Sequence, residues 1–167
     1  PGYKTGCKLA VIDENGSYID SNVIYLLSQN NIKTSSKIVL DLIKKYNITA
    51  IAIGNGTASK ETASFINDLK KENNLDINYA VVSEISNTVY SASKIAQEEY
   101  PNLDVTIRGA ISIAARLRDP MSALVKIDPK SLGIGQYQHD VDQKNLTSKL
   151  NTTTFTLVNK IGVDINS

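Results

Sequence analysis

The chain of 167 residues is 41% hydrophobic and 21% charged, which indicates a globular protein of one domain, or of one domain and part of a second. Its net charge of +1 is small for a chain that binds nucleic acid unaided. No apolar run approaches the roughly 18–20 residues that would cross a membrane. One Cys and one His cannot build a structural zinc site, and the lone Cys7 fits the reducing environment of the cytoplasm.

The first predicted elements form a hairpin. Residues 6–13 are rich in apolar side chains and predict a buried strand. Asn15-Gly16 predicts a two-residue turn with positive φ at both central positions, and residues 17–25 are the expected antiparallel partner. The polar, Asn-rich residues 26–33 predict a loop.

The next region predicts helices that alternate with buried strands. A helix capped by Ser35 or Ser36 is expected to run to about Tyr46, because apolar side chains recur through it at helical spacing. Further strands are predicted at residues 48–53 and 77–82, and further helices at residues 59–72, 88–99 and 105–117. This order predicts the α/β class, with a mixed sheet flanked by helices.

The composition changes after Asp119-Pro120. Residues 118–139 carry Pro129 and the glycines Gly133 and Gly135, so we expect a connector there. From residue 140 onward apolar side chains return at helical spacing and predict an α-helical segment.

The loop formed by Gly54, Asn55, Gly56 and Thr57, called the glycine loop below, joins a predicted strand to a predicted helix. Free backbone N–H groups and the helix dipole can hold a phosphate or another anion at such a junction. The pattern departs from a dinucleotide fingerprint, because Ser59 stands where a third Gly or Ala is needed. Two interpretations remain, an anion-binding loop and a tight turn without a ligand.

Glu84 follows the carboxyl end of a predicted buried strand. Carboxylates in this position hold Mg²⁺ in two-metal nucleases. Such an enzyme needs three or four converging acids, so Glu84 is also explained as a solvated loop acid or a helix cap.

Five basic residues are candidates for phosphate contact, namely Arg108, Arg116, Arg118, Lys126 and Lys130. Arg108 and Arg116 are eight residues apart, so they share one face of the predicted helix. The alternative is an ordinary solvated surface, because nearby aspartates dilute the positive charge.

Several strings of this chain resemble hallmarks of the Tex family of bacterial transcription accessory proteins. They are GNGTASKET from Gly54, VSE from Val82, VYSAS from Val89, the stretch from Arg108-Gly109-Ala110 through Asp119-Pro120, LVKIDPKSLGIGQYQHDV from Leu124 and GVDIN from Gly162. They follow one another over nearly the whole chain, and the string from Leu124 is the longest.

The resemblance implies three regions. Residues 1–117 would form a YqgF-type RNase H-like domain, residues 118–139 a connector, and residues 140–167 the start of a helix-hairpin-helix region. Whole Tex proteins also carry helical N-terminal parts and an OB-fold RNA-binding domain. The implied partners are RNA or DNA and the transcription machinery, in the cytoplasm and away from any membrane.

The resemblance extends to YqgF and RuvC-type nucleases, whose metal-binding acids can be compared one at a time. The first acid would precede Pro1, the second matches Glu84, and Arg108-Gly109 stands in place of the third. An arginine adds positive charge where a cation needs negative charge. The resemblance therefore implies a degenerate, non-catalytic fold without a cofactor.

The same comparison places the opening strand of the sheet before residue 1. This strand would be central, and without it two neighbouring strands would leave unpaired backbone groups in the core. We expect the full-length protein to contain these residues.

Three functions are compatible with the sequence. The first is a nucleic-acid-binding module, which weak and steeply salt-dependent binding would favour. The second is a Mg²⁺-dependent nuclease or junction resolvase that uses Glu84, with Asp104 or Asp119 replacing the third acid. The third is a protein-protein scaffold in a transcription complex, which the near-neutral charge favours.

Overall fold

The computed structural model describes residues 4–120, 123, 126–132 and 138–161. An antiparallel hairpin comes first, and helices then alternate with two parallel strands. The predictions that concern Gly133, Gly135 and residues 162–167 lie outside the described residues.

The hairpin consists of β1, Cys7–Ile12, and β2, Tyr18–Ile24, which pair antiparallel. The predicted two-residue turn between them is wrong. Only Gly16 has a positive φ, at 88°, and the carboxylate of Asp13 accepts hydrogen bonds from two backbone N–H groups of the turn. This carboxylate stabilises a wider turn than the Asn-Gly pair alone indicates.

Helix α1, Gln29–Tyr46, begins well before the predicted cap at Ser35 or Ser36. The loop predicted for residues 26–33 is therefore wrong in its second half. Ser28 caps the helix, with its hydroxyl accepting a backbone hydrogen bond of 3.3 Å. Ser35 instead lies buried inside the helix and donates to the backbone oxygen of Tyr25 over 2.8 Å. The polar residues of the first turns lie on the exposed side, which is why composition indicated a loop.

The central unit runs from β3, Ala50–Gly54, through α2, Ser59–Glu72, to β4, Asn78–Val82. The two strands pair in parallel, as continuous apolar strands joined by a helix predict. The predicted bounds of α2 are confirmed. The buried face of this helix consists of Thr62, Phe65, Ile66 and Leu69.

Two short helices follow β4, α3 at Asn87–Ser91 and α4 at Lys94–Glu99. The single helix predicted over residues 88–99 is wrong, because Ser93 leaves the helical conformation and its hydroxyl caps α4. Helix α5, Val105–Arg118, lies within one residue of its predicted bounds.

The predicted connector contains two short 3-10 helices, Pro129–Leu132 and Gln138–Asp140. Helix α6, Gln143–Ile161, confirms the helical segment predicted after residue 140. Leu157 of its predicted apolar stripe is 52% exposed. The predicted division into regions at residues 117 and 139 stays a prediction.

The main core lies on one face of the strands, against α1 and α2. It consists of Cys7, Ile24, Val39, Ile43, Ile53, Phe65, Ile66, Leu69 and Ile77. Because successive residues of a strand point to opposite faces, Ala10, Ala52 and Gly54 point away from this core. Helix α5 packs against β1 and β3, and these small residues allow it to approach the strands closely. The fold thus has helices on both faces of its strands.

Candidate functional site

The glycine loop and Glu84 lie together at the carboxyl ends of the parallel strands β3 and β4. A Cβ on Gly54 would collide with Oε1 of Glu84, and a Cβ on Gly56 would lie 2.7 Å from Oε2. The Asn55 side chain accepts a hydrogen bond of 2.8 Å from the backbone N–H of Glu84. The Glu84 carboxylate therefore packs directly on the glycine loop.

This packing bears on the anion site predicted at the glycine loop. Helix α2 begins at Ser59 and has no side-chain cap, so its N-terminal N–H groups are a suitable place for negative charge. Glu84 already brings a carboxylate to the loop, and a second anion bound there would be repelled by it. The anion site at the glycine loop stays a prediction. The Glu84 carboxylate is the negative charge that already lies next to it.

Arg116 lies next to the strand end that carries Glu84. Its side chain is buried, with 6% of its surface exposed, and Nη1 donates a hydrogen bond of 2.6 Å to the backbone oxygen of Ser83. Burial lowers the pKa of the guanidinium, and the nearby negative charge of Glu84 opposes this shift by raising it. Arg116 is thus a buried positive charge near the carboxylate that was considered as a metal ligand, and its Nε and Nη2 atoms have no hydrogen-bond partner among the described residues.

Arg108 lies about two turns before Arg116 on α5, near Tyr90 of α3. Its Nε and Nη1 atoms are buried and have no hydrogen-bond partner among the described residues. The neighbouring Gly109 leaves room for the Asn87 side chain, whose Nδ2 would lie 3.1 Å from a Cβ at that glycine. The buried Oδ1 of Asn87 also has no such partner in the described structure. Arg108, which the resemblance compares with a nuclease acid, is therefore a partly buried guanidinium.

The other three predicted phosphate contacts are dispersed. Arg118 is exposed and donates to the backbone oxygen of Glu14 over 3.1 Å. Lys126 forms an ion pair of 2.6 Å with Glu99. Lys130, in the first 3-10 helix of the connector, is partly buried.

The two acids considered as replacements for the third metal ligand lie at opposite ends of α5. Asp104 caps its first turn, and the hydrogen bonds from the side chain and backbone of Thr106 lower the pKa of this carboxyl. Asp119 follows its last residue. A helix of 14 residues is about 20 Å long, so the two acids cannot both join Glu84. In the part of the chain that the structure describes, no three His, Cys, Asp or Glu side chains converge on a metal position.

Sequence reasoning missed a polar triad that joins the connector to the main fold. The hydroxyl of Tyr90 donates to Oε2 of Glu99 over 2.5 Å, and Nζ of Lys126 donates to Oε1 of the same carboxylate over 2.6 Å. Burial, followed by the bond to Glu99, raises the pKa of Tyr90. The three residues come from separate elements, so no periodicity of the sequence indicates their contact.

No helix in the described part of the chain is both long and apolar enough to cross a lipid bilayer.

Comparison of the sequence with known families identifies the family of this chain. The family described as Tex protein YqgF-like domain matches residues 1–118, and the chain belongs to it. The predicted family, the α/β class and the RNase H-like fold are thereby confirmed.

The curated relatives are longer proteins. The chain is 48% identical over 171 residues to Transcriptional accessory protein Tex of Neisseria gonorrhoeae, with 100% of this chain and 22% of that protein aligned. It is 46% identical over 169 residues to Protein tex of Bordetella pertussis, covering 100% of this chain and 21% of that protein. It is 43% identical over 169 residues to S1 RNA-binding domain-containing protein 1 of Homo sapiens, covering 99% and 17% respectively. The chain spans about a fifth of the length of these relatives.

Proposed function

We propose that this chain is a nucleic-acid-binding module of a bacterial transcription accessory protein, built on a nuclease-like fold that is non-catalytic. The names of two relatives, a transcriptional accessory protein and an S1 RNA-binding domain-containing protein, support the first part. The geometry around Glu84 supports the second part.

The observation that carries the non-catalytic assignment is the position of Arg116. A metal site needs negative charge that is available to a cation. Here the buried guanidinium of Arg116 lies within electrostatic reach of Glu84, while the glycine loop packs against the carboxylate oxygens. A divalent cation at Glu84 would be repelled by the positive charge of Arg116. No cofactor is part of the proposal.

The binding surface of this proposal uses Arg118 and Lys130. Arg116 is buried and Lys126 is paired with Glu99, so both are already engaged inside the protein. The guanidinium of Arg108 is partly withdrawn from solvent. Few available cations mean a weak electrostatic contribution from this chain, and the longer protein would supply the rest of the contact.

The test uses the full-length protein with three variants. Glu84→Ala removes the candidate metal ligand, and Arg118→Gln with Lys130→Gln removes the proposed phosphate contacts. Lys37→Gln with Lys71→Gln removes two exposed lysines elsewhere and controls for net charge. Binding of structured RNA and branched DNA is measured at several salt concentrations, and cleavage is measured with Mg²⁺ and with Mn²⁺.

We expect salt-dependent binding without cleavage, unchanged by Glu84→Ala. The Arg118 and Lys130 variant should lower the slope of log K against log salt by about 1 for each contact removed, and the control should not. Metal-dependent cleavage that Glu84→Ala abolishes would establish the nuclease alternative instead. Neither binding nor cleavage in the wild-type protein would leave the scaffold alternative.

A further inference from the structure

Residues 126–132 of the predicted connector, called the strap below, pack on the surface formed by α3 and α4. Ile127 of the strap is buried and forms a small core with Tyr90 of α3 and Ala96 of α4. This core is separate from the main core beside the strands. Opening it would return apolar surface to water, which is unfavourable, so the strap is held against the domain.

The polar triad adds a second contact beside this small core. Both oxygens of the Glu99 carboxylate are engaged, one by the Tyr90 hydroxyl and the other by Nζ of Lys126. The side chains of Lys126 and Glu99 are 23% and 30% exposed, and an ion pair that is partly withdrawn from water is screened less than one on the surface. Glu99 thus ties the end of α4 to the first residue of the strap.

The same helix carries a second ion pair that offers a comparison. Nζ of Lys94 lies 3.6 Å from Oε1 of Glu98, and these side chains are 89% and 67% exposed. An ion pair between neighbouring turns of an exposed helix contributes little to stability. Glu98 and Glu99 are therefore adjacent acids of α4, of which the first pairs within the helix and the second binds the strap.

The far end of the strap is attached to the segment that follows Glu84. The Ser86 hydroxyl donates a hydrogen bond of 2.7 Å to the backbone oxygen of Ser131. Ser86 has a φ of 54°, a left-handed conformation that is costly for a residue other than glycine and that persists where surrounding contacts enforce it. The bond to Ser131 is such a contact, so the strap also stabilises the turn next to Glu84.

Hydrogen bonds continue from the strap to the start of α6. Nε2 of Gln138 donates to the backbone oxygen of Lys130 over 2.7 Å. Nε2 of Gln143, the first residue of α6, donates to the backbone oxygens of Gln138 and Val141, each over 2.9 Å. The first 3-10 helix of the connector also packs against α6. None of the described α6 side chains is buried, so packing along the rest of this helix contributes little to its placement.

We propose that the strap is a positioning device, which fixes the start of α6 to the domain with the Glu99 carboxylate as its main anchor. Release of this anchor frees the strap and, through it, α6, although Glu99 itself belongs to α4. The direction in which the polypeptide leaves the domain is then set by the surface of α3 and α4. This role does not depend on nucleic-acid binding.

Hydrogen exchange of the full-length protein tests the anchor with a matched pair of variants. Glu99→Gln removes the charge that holds Lys126, and Glu98→Gln removes the adjacent acid of the exposed pair. The amides of Lys130 and Ser131, which are bonded to Asp128, report on the strap, and those of α2 report on opening of the whole domain.

We expect Glu99→Gln to raise exchange of the strap amides about ten-fold, because a hydrogen-bonded charge is lost, and to leave α2 unchanged. Glu98→Gln should leave both unchanged. Equal effects of the two variants, or a strap unaffected by Glu99→Gln, would overturn the proposal. If exchange in α2 rises equally, Ser86→Ala, which removes the other attachment and keeps the triad, decides by the same comparison of strap and α2.

The position of α6 is measured in the same full-length protein by electron spin resonance. Nitroxide labels are placed on Ser64→Cys of α2 and Thr153→Cys of α6, both exposed positions, in a background without other cysteines. We expect a narrow distribution of label distances in the parent protein and with Glu98→Gln, and a broader one with Glu99→Gln. A distribution that is broad in the parent, or that stays narrow with Glu99→Gln, would show that the strap does not position α6.

Discussion

The carboxylate of Glu84 lies directly against Gly54, so that Glu84 must move before any side chain fits at position 54. A Cβ there would collide with Oε1 and lie 2.8 Å from both Cδ and Cγ of Glu84. The glycine is therefore required by packing between two strand ends, and its own backbone does not have the positive φ that usually calls for glycine.

The variant Gly54→Ala should lower the free energy of unfolding by about 1–3 kcal/mol, because the whole Glu84 side chain must move to make room. Chemical denaturation of the full-length protein measures this change. The double variant Gly54→Ala with Glu84→Ala should recover most of the loss relative to Glu84→Ala alone, since the collision is gone. Additive losses in the double variant would contradict the contact.

Arg116 and Arg118 offer a matched pair on one helix. Arg116→Met removes the hydrogen bond to the Ser83 oxygen and the positive charge beside Glu84, so we expect a loss of about 1.5–3 kcal/mol. Arg118→Met changes an exposed side chain and should stay within about 0.5 kcal/mol of the wild type. Equal effects of the two substitutions, measured by urea denaturation, would show that Arg116 has no special internal role.

The cap of α5 should make stability depend on pH in a narrow acidic range. Hydrogen bonds from Thr106 lower the folded-state pKa of Asp104 below the ordinary value of an aspartate carboxyl. A group with a depressed folded pKa stabilises the protein fully above the unfolded pKa, and this contribution is lost as pH falls through the folded pKa.

The comparison uses Asp104→Asn, which retains a capping side chain without a charge. The wild type should have a higher urea midpoint than Asp104→Asn at pH 5–7. This difference should shrink as the pH falls below about 4. A difference between the two proteins that is constant across this pH range would show that the charge of Asp104 does not contribute to stability.

The triad of Tyr90, Glu99 and Lys126 should behave as one unit. Tyr90→Phe removes a hydrogen bond to a carboxylate and should cost about 1.5–3 kcal/mol of unfolding free energy. Glu99→Gln weakens the same bond and the ion pair to Lys126. The double variant should therefore lose less than the two single losses added together. Strict additivity in thermal or chemical denaturation would mean that the two side chains act independently.

Much of the fold could be predicted from local sequence. Helix α2 and the strands β1 to β4 follow from short apolar runs and helical periodicity, because the repeat of side-chain directions is set within each segment. The start of α1 could not be predicted in this way, because its first turns are polar and its cap is Ser28 rather than Ser35. The break between α3 and α4 rests on one capping serine within an otherwise helical pattern.

The family could be identified from motifs, but the roles of the site residues could not be separated by sequence. Arg116 and Arg118 are two residues apart on α5, and a helix turns about 200° over that distance. Packing of α5 against the strands buries the first and exposes the second. Lys126 and Lys130 were equally plausible phosphate contacts until the fold brought Glu99 to the first of them.

The sequence by itself determined the strands, most of the helices and the resemblance to the Tex family, because periodicity and motif spacing are local properties. Only the tertiary structure decided that Glu84 packs on the glycine loop beside Arg116, and that a cavity separates β1 from β3. These relationships join residues far apart in the chain, and they exist only once helices on both faces hold the strand ends together.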